Sequence, residues 1–211
     1  MSSNKFIQQF INATQDGLPG ERAHADLMPV NRPFTSDAFK AATDYRKSAV
    51  GIVLFEEQSY IKCVLIQRPK YEGVHGNQVS FPGGKMDATD PDLEFTARRE
   101  CMEEIALQPE YMSTVGQLSE VFIPVSKFLV QPYVFFVDDM PQLIPDDREV
   151  DEIFTFNVDN LLDESVLKAT DMRFKNGFVQ KNIPYFDLEG RTVWGATAMM
   201  LSEFKAIMKS F

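Results

Sequence analysis

Apolar and polar positions along the chain change between two periodicities, which separate predicted strands from predicted helices. Two β-branched, apolar runs at 48–55 and 60–67 flank a charged turn and predict a β-hairpin. A loop over 69–77 leads to strand-like residues at 78–81. Further strands are predicted at 114–122, 128–137, 152–156, 178–186 and 192–194. Because these strands interleave with helical segments without regular βαβ alternation, the pattern predicts an α/β fold with a mixed sheet between helices.

Helical periodicity is clearest at the two ends of the chain and after a Pro-Gly-Gly turn near the middle. Phe6, Phe10 and Ile11 form a stripe that ends before Gly17, and residues 195–211 form an amphipathic helix. Short helices are predicted at 37–45 and 158–162. Residues 18–33 are rich in Pro, Gly and charge and predict an extended arm, with Arg22 and His24 in a solvated loop. We therefore predict an N-terminal helix and arm, 1–47, packed on a domain formed by 48–211.

One predicted helix carries acidic residues on a single side. Glu100, Glu103 and Glu104 lie at roughly 0°, 300° and 40° around the helix axis, and an apolar stripe adjoins them. Like charges at this spacing repel one another unless a cation lies among them. Carboxylate oxygens favour Mg²⁺ or Mn²⁺, and the chain offers no Cys/His cluster for a softer metal. The alternative for such a pattern is a solvated acidic face on a surface helix.

Composition narrows the class of protein. The 211 residues carry a formal charge of −10, which argues against a nucleic-acid polymer or an anionic membrane as partner. No apolar run approaches the ~20 residues that span a bilayer, and the N-terminus lacks the features of a signal peptide. Cys63 and Cys101 lie in apolar patterns and are interpreted as buried thiols. We expect a cytoplasmic protein whose anionic substrate needs local cations.

The stretch 83–107 resembles a Nudix box. The residues that match the second half of the box are Arg99, Glu100, Cys101, Glu103, Glu104 and Leu107. The chain departs from the pattern in one extra residue before Arg99, in Asp90 at the place of the middle Glu, and in Ala106 at the final Gly. The coenzyme A pyrophosphatase branch shares the first two departures. Ala106 suggests a different helix exit.

The resemblance extends on both sides of the box. Upstream, Arg68 and the run 78–84 match the branch signature, whereas Pro69, Gly73 and Asn77 depart from it. Arg68 is the predicted contact to a substrate phosphate, because a guanidinium binds phosphate oxygens bidentately; an exposed strand-end charge is the alternative. His75 is a weaker phosphate candidate. Downstream, the run 193–197 also matches, and we interpret its Trp194 as a packing residue.

The resemblance implies a Nudix-type α/β/α sandwich with a mixed β-sheet and a metal centre on the acidic helix. Glu100 and Glu104 are the first-choice metal ligands, and Glu103 shares a second ion or holds water. Gly83 and Gly84 let the main chain approach the ion and substrate, so a carbonyl there is a further candidate ligand. Arg99 is predicted to orient the carboxylates by ion pairing.

The general base is left open. Glu103 is one candidate, and Glu152 and Glu149 outside the box are others, although we favour a surface charge for Glu149. Asp87 and Asp90 are expected to shape the loop, and Asp90 is a candidate helix cap with Pro91 in the first position.

The expected activity is Mg²⁺- or Mn²⁺-dependent hydrolysis of a small nucleotide diphosphate. The resemblance points to coenzyme A or acyl-coenzyme A, giving 3′,5′-ADP and a phosphopantetheine product. ADP-ribose, dinucleotides or nucleoside triphosphates are the alternative substrates, and a non-catalytic nucleotide-binding module is the alternative class. The family also allows a homodimer.

Overall fold

Strands and helices interleave along the chain in the computed structural model, which describes residues 2–15, 17–29, 32–69, 77–173 and 177–211. In these ranges the α-helices are Ser3–Gln15 (α1), Glu21–His24 (α2), Thr35–Ala41 (α3), Leu93–Ile105 (α4) and Gly195–Met208 (α5). The strands are Arg46–Glu57 (β1), Tyr60–Gln67 (β2), Val79–Ser80 (β3), Gly83–Lys85 (β4), Ser113–Gln117 (β5), Val121–Ile123 (β6), Phe128–Val137 (β7), Glu152–Asn157 (β8), Leu167–Arg173 (β9), Val179–Leu188 (β10) and Arg191–Trp194 (β11). Short 3₁₀ helices lie at Ala25–Leu27, Pro109–Tyr111, Val158–Leu162 and Glu164–Val166.

The main sheet is mixed and is built around β1. The second half of β1 pairs antiparallel with β2, which confirms the predicted hairpin, and its first half pairs antiparallel with β4. Along its other edge β1 runs parallel to β7. The strand order is β3-β2-β1-β7-β5, with β8 on β2 and β6 on β7. The split pairing of β1 places the Pro-Gly-Gly turn at the centre of the sheet.

Helices cover both faces of this sheet. Ile52 and Leu54 of β1 face the core formed with α1 and α5, whereas Val53 faces the core beneath α4. A strand whose successive side chains are all buried needs cover on both sides, since neighbouring side chains point to opposite faces. The arrangement confirms the predicted α/β/α sandwich with a mixed sheet.

The N-terminal arm is more folded than the sequence predicts. Phe10 of α1 is fully buried and packs on Phe204 of α5, with 5.5 Å between ring centroids. Residues 21–27 form α2 and a 3₁₀ turn, so the prediction of an extended arm there is wrong. Both Arg22 and His24 lie on α2, so their predicted place in a solvated loop is wrong, although Arg22 is exposed. His24 is buried, and its Nε2 lies 3.1 Å from Glu203 Oε2. The division of the chain between 47 and 48 stays a prediction.

A smaller sheet, β9-β10-β11, lies beside α5. No strand is predicted at β9 from the sequence, because its charged and exposed residues do not form an apolar pattern. Phe186 and Leu188 of β10 join the core with α5. None of the helices in the described part of the chain is long and apolar enough to cross a bilayer.

Candidate functional site

The Pro-Gly-Gly turn brings the main chain directly against α4. Gly83 pairs with Val50 of β1, and a Cβ on Gly83 would lie 2.5 Å from the carbonyl oxygen of Ala49. A Cβ on Gly84 would lie 2.4 Å from Glu100 Oε1. Glycine at both positions is therefore what lets the turn fit between β1 and the carboxylates of the helix.

The helix begins two residues later than the sequence predicts. Asp92 is the N-cap, and its carboxylate accepts a 2.8 Å hydrogen bond from the backbone N–H of Phe95. The prediction that Asp90 caps the helix, with Pro91 in its first position, is wrong. Asp90 instead accepts hydrogen bonds from Nε and Nη2 of Arg99, and these hold the pKa of Asp90 at about 2. The loop is thus tied to the side of the helix rather than to its end.

The three predicted ligands on α4 lie in different environments. Glu100 and Glu104 are buried, whereas Glu103 is exposed. Burial raises the pKa of Glu100 and is opposed by the charge of Arg99. Burial raises the pKa of Glu104 to about 7, despite the charge of Arg68 and a hydrogen bond from a turn N–H. Two buried carboxylates one turn apart are costly to ionise, so the site favours a bound cation.

Arg99 connects the carboxylates to the loop. Its Nη1 donates to Glu100 Oε1 at 2.9 Å and to Glu103 Oε2 at 2.8 Å. Its Nη2 donates to the carbonyl oxygen of Lys85, and the bidentate pair with Asp90 completes its contacts. These partners raise the pKa of Arg99, with the Asp90 hydrogen bonds as the largest cause. Its predicted role as an orienting residue has this geometry, and the role itself stays a prediction.

Arg68 reaches the same place from the sheet. Its Nη2 lies 2.8 Å from Glu104 Oε1 and donates to the carbonyl oxygen of Gly83 at 2.9 Å. Its Nε donates to Ser80 Oγ at 3.2 Å. The backbone N–H of Gly83 in turn donates to Glu104 Oε2 at 2.8 Å. Sequence reasoning identified Arg68 but not its carboxylate partner, and contact with phosphate stays a prediction.

The two candidate bases outside the helix are in different positions. Glu149 is exposed, and its charge makes a minor contribution to the raised pKa of Glu100 and of Glu104. The segment before it donates backbone N–H groups to the last carbonyls of α4. Glu152 is hydrogen-bonded to Arg191, which lowers the pKa of Glu152. The exposure of Glu149 agrees with the surface charge that the sequence favours for this residue. The docking of the preceding segment was not predicted, and the unpaired carbonyls that every helix end presents are the signal for it.

Asn77 and Ala106 have the left-handed backbone conformation that glycine readily adopts. Asn77 stands where the coenzyme A pyrophosphatase signature has Gly, and Ala106 stands where the Nudix box has Gly. Asn77 has φ 60° and donates its N–H to Pro69 O. Ala106 has φ 57° and ψ 22° at the end of α4, so the prediction of a different helix exit is wrong. Non-glycine residues adopt this left-handed conformation at a cost, asparagine most readily. The predictions on Gly73 and His75 concern residues outside the described ranges.

The run 193–197 lies next to the turn. The hydroxyl of Thr197, in the first turn of α5, donates to the carbonyl oxygen of Val79 at 3.1 Å. Trp194 is half-buried at the end of β11, opposite Tyr185. The α5 helix is therefore fixed to β3, the strand that leads into the turn.

The donor atoms of this site are of the type that binds a divalent ion, although their side chains are paired with arginines in this structure. In the described ranges no three acidic, histidine or cysteine side chains are gathered closely enough to hold an ion, and each α4 carboxylate contacts an arginine instead. Glu104 Oε1 is buried and accepts no hydrogen bond within those ranges. Its one stabilising interaction there is the ion pair with Arg68. Glycine at position 84 lets the Glu100 carboxylate approach the main chain more closely than a Cβ would allow. Hard carboxylate oxygens around an under-satisfied buried atom suit Mg²⁺ or Mn²⁺.

The fold, with a glycine turn beside an acidic helix, is similar to that of a known family of proteins. A NUDIX domain model matches residues 45–177, more than half of the chain. The chain therefore belongs to the Nudix hydrolase family, whose members generally use divalent metal ions.

Similar proteins include a coenzyme A diphosphatase. Over 141 residues the chain is 34% identical to human mitochondrial coenzyme A diphosphatase NUDT8, covering 66% of this chain and 58% of that protein. It is 32% identical over 130 residues to the uncharacterized Nudix hydrolase NudL of Pectobacterium atrosepticum, covering 61% of this chain and 66% of NudL. NudL of Yersinia pestis is 26% identical over 199 residues, with 94% and 93% covered. The chain thus spans less than two thirds of the first two relatives and nearly all of the third.

Solved structures share the fold at low sequence identity. The Nudix hydrolase RenU of M. smegmatis superposes with a TM-score of 0.56 at 13% identity, covering 88% of this chain and 94% of RenU. The C. elegans Ap4A hydrolase binary complex gives a TM-score of 0.53 at 13% identity, covering 79% and 99%. These likenesses concern the fold alone.

Proposed function

We propose that this chain is a divalent-metal-dependent pyrophosphatase that hydrolyses coenzyme A or acyl-coenzyme A to 3′,5′-ADP and the corresponding phosphopantetheine. The observation that carries the hydrolase assignment is the buried pair Glu100 and Glu104 held against Gly83 and Gly84. Mutually repelling carboxylates in such a place serve no packing purpose, because apolar side chains would be cheaper to bury. The coenzyme A preference is supported by the name of the NUDT8 relatives and by the signature runs around the box.

The chain's own residues divide the work of hydrolysis. Glu100, Glu104 and the carbonyl oxygen of Gly83 would hold the ion, with Glu103 at a second ion or at water. When bound, the ion supplies charge neutralisation at the phosphoryl oxygens and an acidified water. Arg99 fixes the direction of the carboxylates through its bond to the loop.

The base that takes the proton of the attacking water is to be assigned among three carboxylates. Glu103 lies on the acidic helix, and Glu149 follows the segment that is hydrogen-bonded to the end of that helix. Glu152 is engaged by Arg191, and we therefore rank it below Glu149. Substitution of each by Gln, with kcat followed against pH, assigns the role: loss of the acidic limb of the profile identifies the base.

A substrate panel with product identification tests the activity. The purified chain with Mg²⁺ or Mn²⁺ is given coenzyme A, acetyl-coenzyme A, ADP-ribose, a dinucleotide and a nucleoside triphosphate, and products are separated by chromatography. We expect 3′,5′-ADP from both coenzyme A compounds at a kcat/KM above that of the others. Intact coenzyme A beside rapid cleavage of another nucleotide would refute the substrate and retain the hydrolase.

A matched pair of glutamate variants tests catalysis itself. Glu104→Gln removes a buried predicted ligand, whereas Glu110→Gln makes the same change at an exposed position on a neighbouring 3₁₀ turn. We expect the first variant to lose at least about 10²-fold in kcat, as the loss of a charge-stabilising group typically does, and the second to match the parent. Binding of nucleotide without turnover in the parent would instead support a non-catalytic module. The cytoplasmic location and the homodimer stay predictions.

A further inference from the structure

Arg68 contacts two groups that the proposed function assigns to the metal ion. Its Nη2 is 2.8 Å from Glu104 Oε1 and 2.9 Å from the carbonyl oxygen of Gly83. Within the described ranges, the remaining contact of its side chain is from Nε to Ser80 Oγ at 3.2 Å, at the long end of the range for a hydrogen bond. The guanidinium therefore lies where a divalent cation would lie, and among the described residues it contacts mainly the groups that would bind that cation.

Arg99 contacts α4 carboxylates as well, yet it is anchored elsewhere. Asp90 is buried and accepts hydrogen bonds from both Nε and Nη2 of Arg99. The carbonyl oxygen of Lys85 accepts a further hydrogen bond from Arg99. If Glu100 and Glu103 turn toward an ion, Arg99 retains these partners. Arg68 would lose its charged partner and its carbonyl together. The two arginines are thus not equivalent.

A divalent ion and a guanidinium compete for Glu104. Both carry positive charge. When an ion binds an oxygen of the Glu104 carboxylate, a guanidinium paired with the same carboxylate lies close enough to the ion to be repelled by it. Glu104 is 1% exposed, so water screens this repulsion poorly. The ion carries the greater charge and gains Glu100 as an additional ligand. Exchange of one cation for the other is the expected result.

We propose that Arg68 is an internal counter-ion that occupies Glu104 and the Gly83 carbonyl in the metal-free chain, and that the incoming divalent ion displaces it toward the diphosphate of the substrate. This inference rests on the proposed function, because it takes the ion to bind Glu104. Once released, the guanidinium offers paired N–H donors that match phosphate oxygens. Metal binding then prepares the anion site, so the substrate binds to the loaded enzyme in preference to the empty one.

Crystals of the full chain grown in EDTA and with Mn²⁺ test the exchange directly. In EDTA we expect Arg68 Nη2 within ion-pair distance of Glu104, as in the present structure. With Mn²⁺ on Glu104 we expect that separation to exceed the ~4 Å limit of an ion pair. Mn²⁺ bound to Glu104 with Arg68 still paired to it, or Arg68 unpaired in EDTA, would overturn the inference and leave the proposed hydrolase intact. Absence of any ion on the α4 carboxylates would sink the proposed function as well.

Calorimetry with a non-hydrolysable diphosphate tests the second half of the inference. With saturating Mn²⁺, Arg68→Gln is expected to bind α,β-methylene-ADP about tenfold more weakly than the parent, the usual loss for a hydrogen bond to a charged group. Arg148→Gln is the matched control, since it removes the same charge from a side chain that is 88% exposed; its affinity should stay within about twofold of the parent. Arg68→Lys should recover part of the loss, because it keeps the charge without the paired donors. Parent-like affinity of Arg68→Gln would refute a released arginine at the diphosphate.

Discussion

Glu104 is a proposed metal ligand whose burial costs stability, and Glu104→Gln separates the two effects. Its carboxyl is 1% exposed, and burial raises its pKa from the ordinary 4.5 to about 7. At 1.36 kcal/mol for each pKa unit, that difference corresponds to about 3 kcal/mol of lost stability once the group is ionised in the folded chain. Glutamine has the shape of the neutral acid and never ionises. Without metal, the variant should therefore be more stable than the parent at alkaline pH.

The direction of this effect with pH follows from the raised pKa. Below pH 4.5 the carboxyl is protonated in both the folded and the unfolded chain, and the parent has its full stability from this group. Between pH 4.5 and about 7 the unfolded chain ionises first, so the free energy of unfolding falls as pH rises. Above about pH 7 the loss is complete. The variant lacks this fall, so the difference between variant and parent is small at pH 5 and largest at pH 8.

Urea unfolding in EDTA at pH 5 and pH 8 measures the difference. At pH 8 we expect Glu104→Gln to exceed the parent by about 3 kcal/mol, equivalent to roughly 6–12 °C in Tm for a chain of this size. Glu103→Gln is the control on the same helix, and because Glu103 is exposed it should differ from the parent by less than about 1 kcal/mol. Saturating Mg²⁺ should stabilise the parent by mass action and not Glu104→Gln. A variant less stable than the parent at pH 8 in EDTA would refute the reasoning.

Further predictions concern the turn, the helix exit and the N-terminal helix. Gly84→Ala places a Cβ 2.4 Å from Glu100 Oε1 and should displace that carboxylate. We expect Mn²⁺ binding measured by calorimetry to weaken about tenfold, with the free energy of unfolding nearly unchanged. An unchanged affinity for Mn²⁺ would contradict Glu100 as a ligand. Ala106→Gly relieves a left-handed alanine and should raise the unfolding free energy by about 1 kcal/mol; a decrease would contradict this helix exit. Phe10→Ala should lower it by about 3–5 kcal/mol, because the ring is fully buried on Phe204, and a change below about 1 kcal/mol would show that α1 packs independently of the core.

Local patterns were sufficient to predict the β1–β2 hairpin and the acidic helix, whereas β4 was not predicted and the strand predicted at 114–122 is divided into β5 and β6. The hairpin of β1 and β2 follows from two apolar runs around a polar turn, and the turn residues Gln58 and Ser59 have the positive φ that tight hairpins need. The stripe of Cys101 and its neighbours at spacing four correctly predicts the buried edge of α4. Both inferences use residues close in sequence, whose relative positions are fixed by the period of the element.

Contacts between distant segments were beyond such patterns. The sequence around His24 resembles a loop, but α5 places the buried carboxylate of Glu203 beside it. That carboxylate is hydrogen-bonded to His24 Nε2 and to the backbone N–H groups of Gly20 and Ser119. Nothing in the arm itself indicates that partner, because the pairing depends on how two remote elements pack. Charged β9 was missed for a related reason: its register is set by β10, not by an apolar pattern of its own.

The same division explains what was found and missed at the site. Residue type and helical spacing identify Glu100 and Glu104 as hard oxygen donors, and glycine identifies where the backbone approaches them. Without a metal, the partners of those donors depend on which cationic side chains the fold places beside them. Arg68, at the end of β2, pairs with Glu104, and Arg99 is fixed by its ion pair with Asp90 in the loop. A sequence can thus indicate which side chains would be metal ligands. The cations that pair with those ligands in the metal-free structure follow from the tertiary structure. At this centre those groups are arginines with unequal anchors, and that inequality is what makes an ordered exchange physically reasonable.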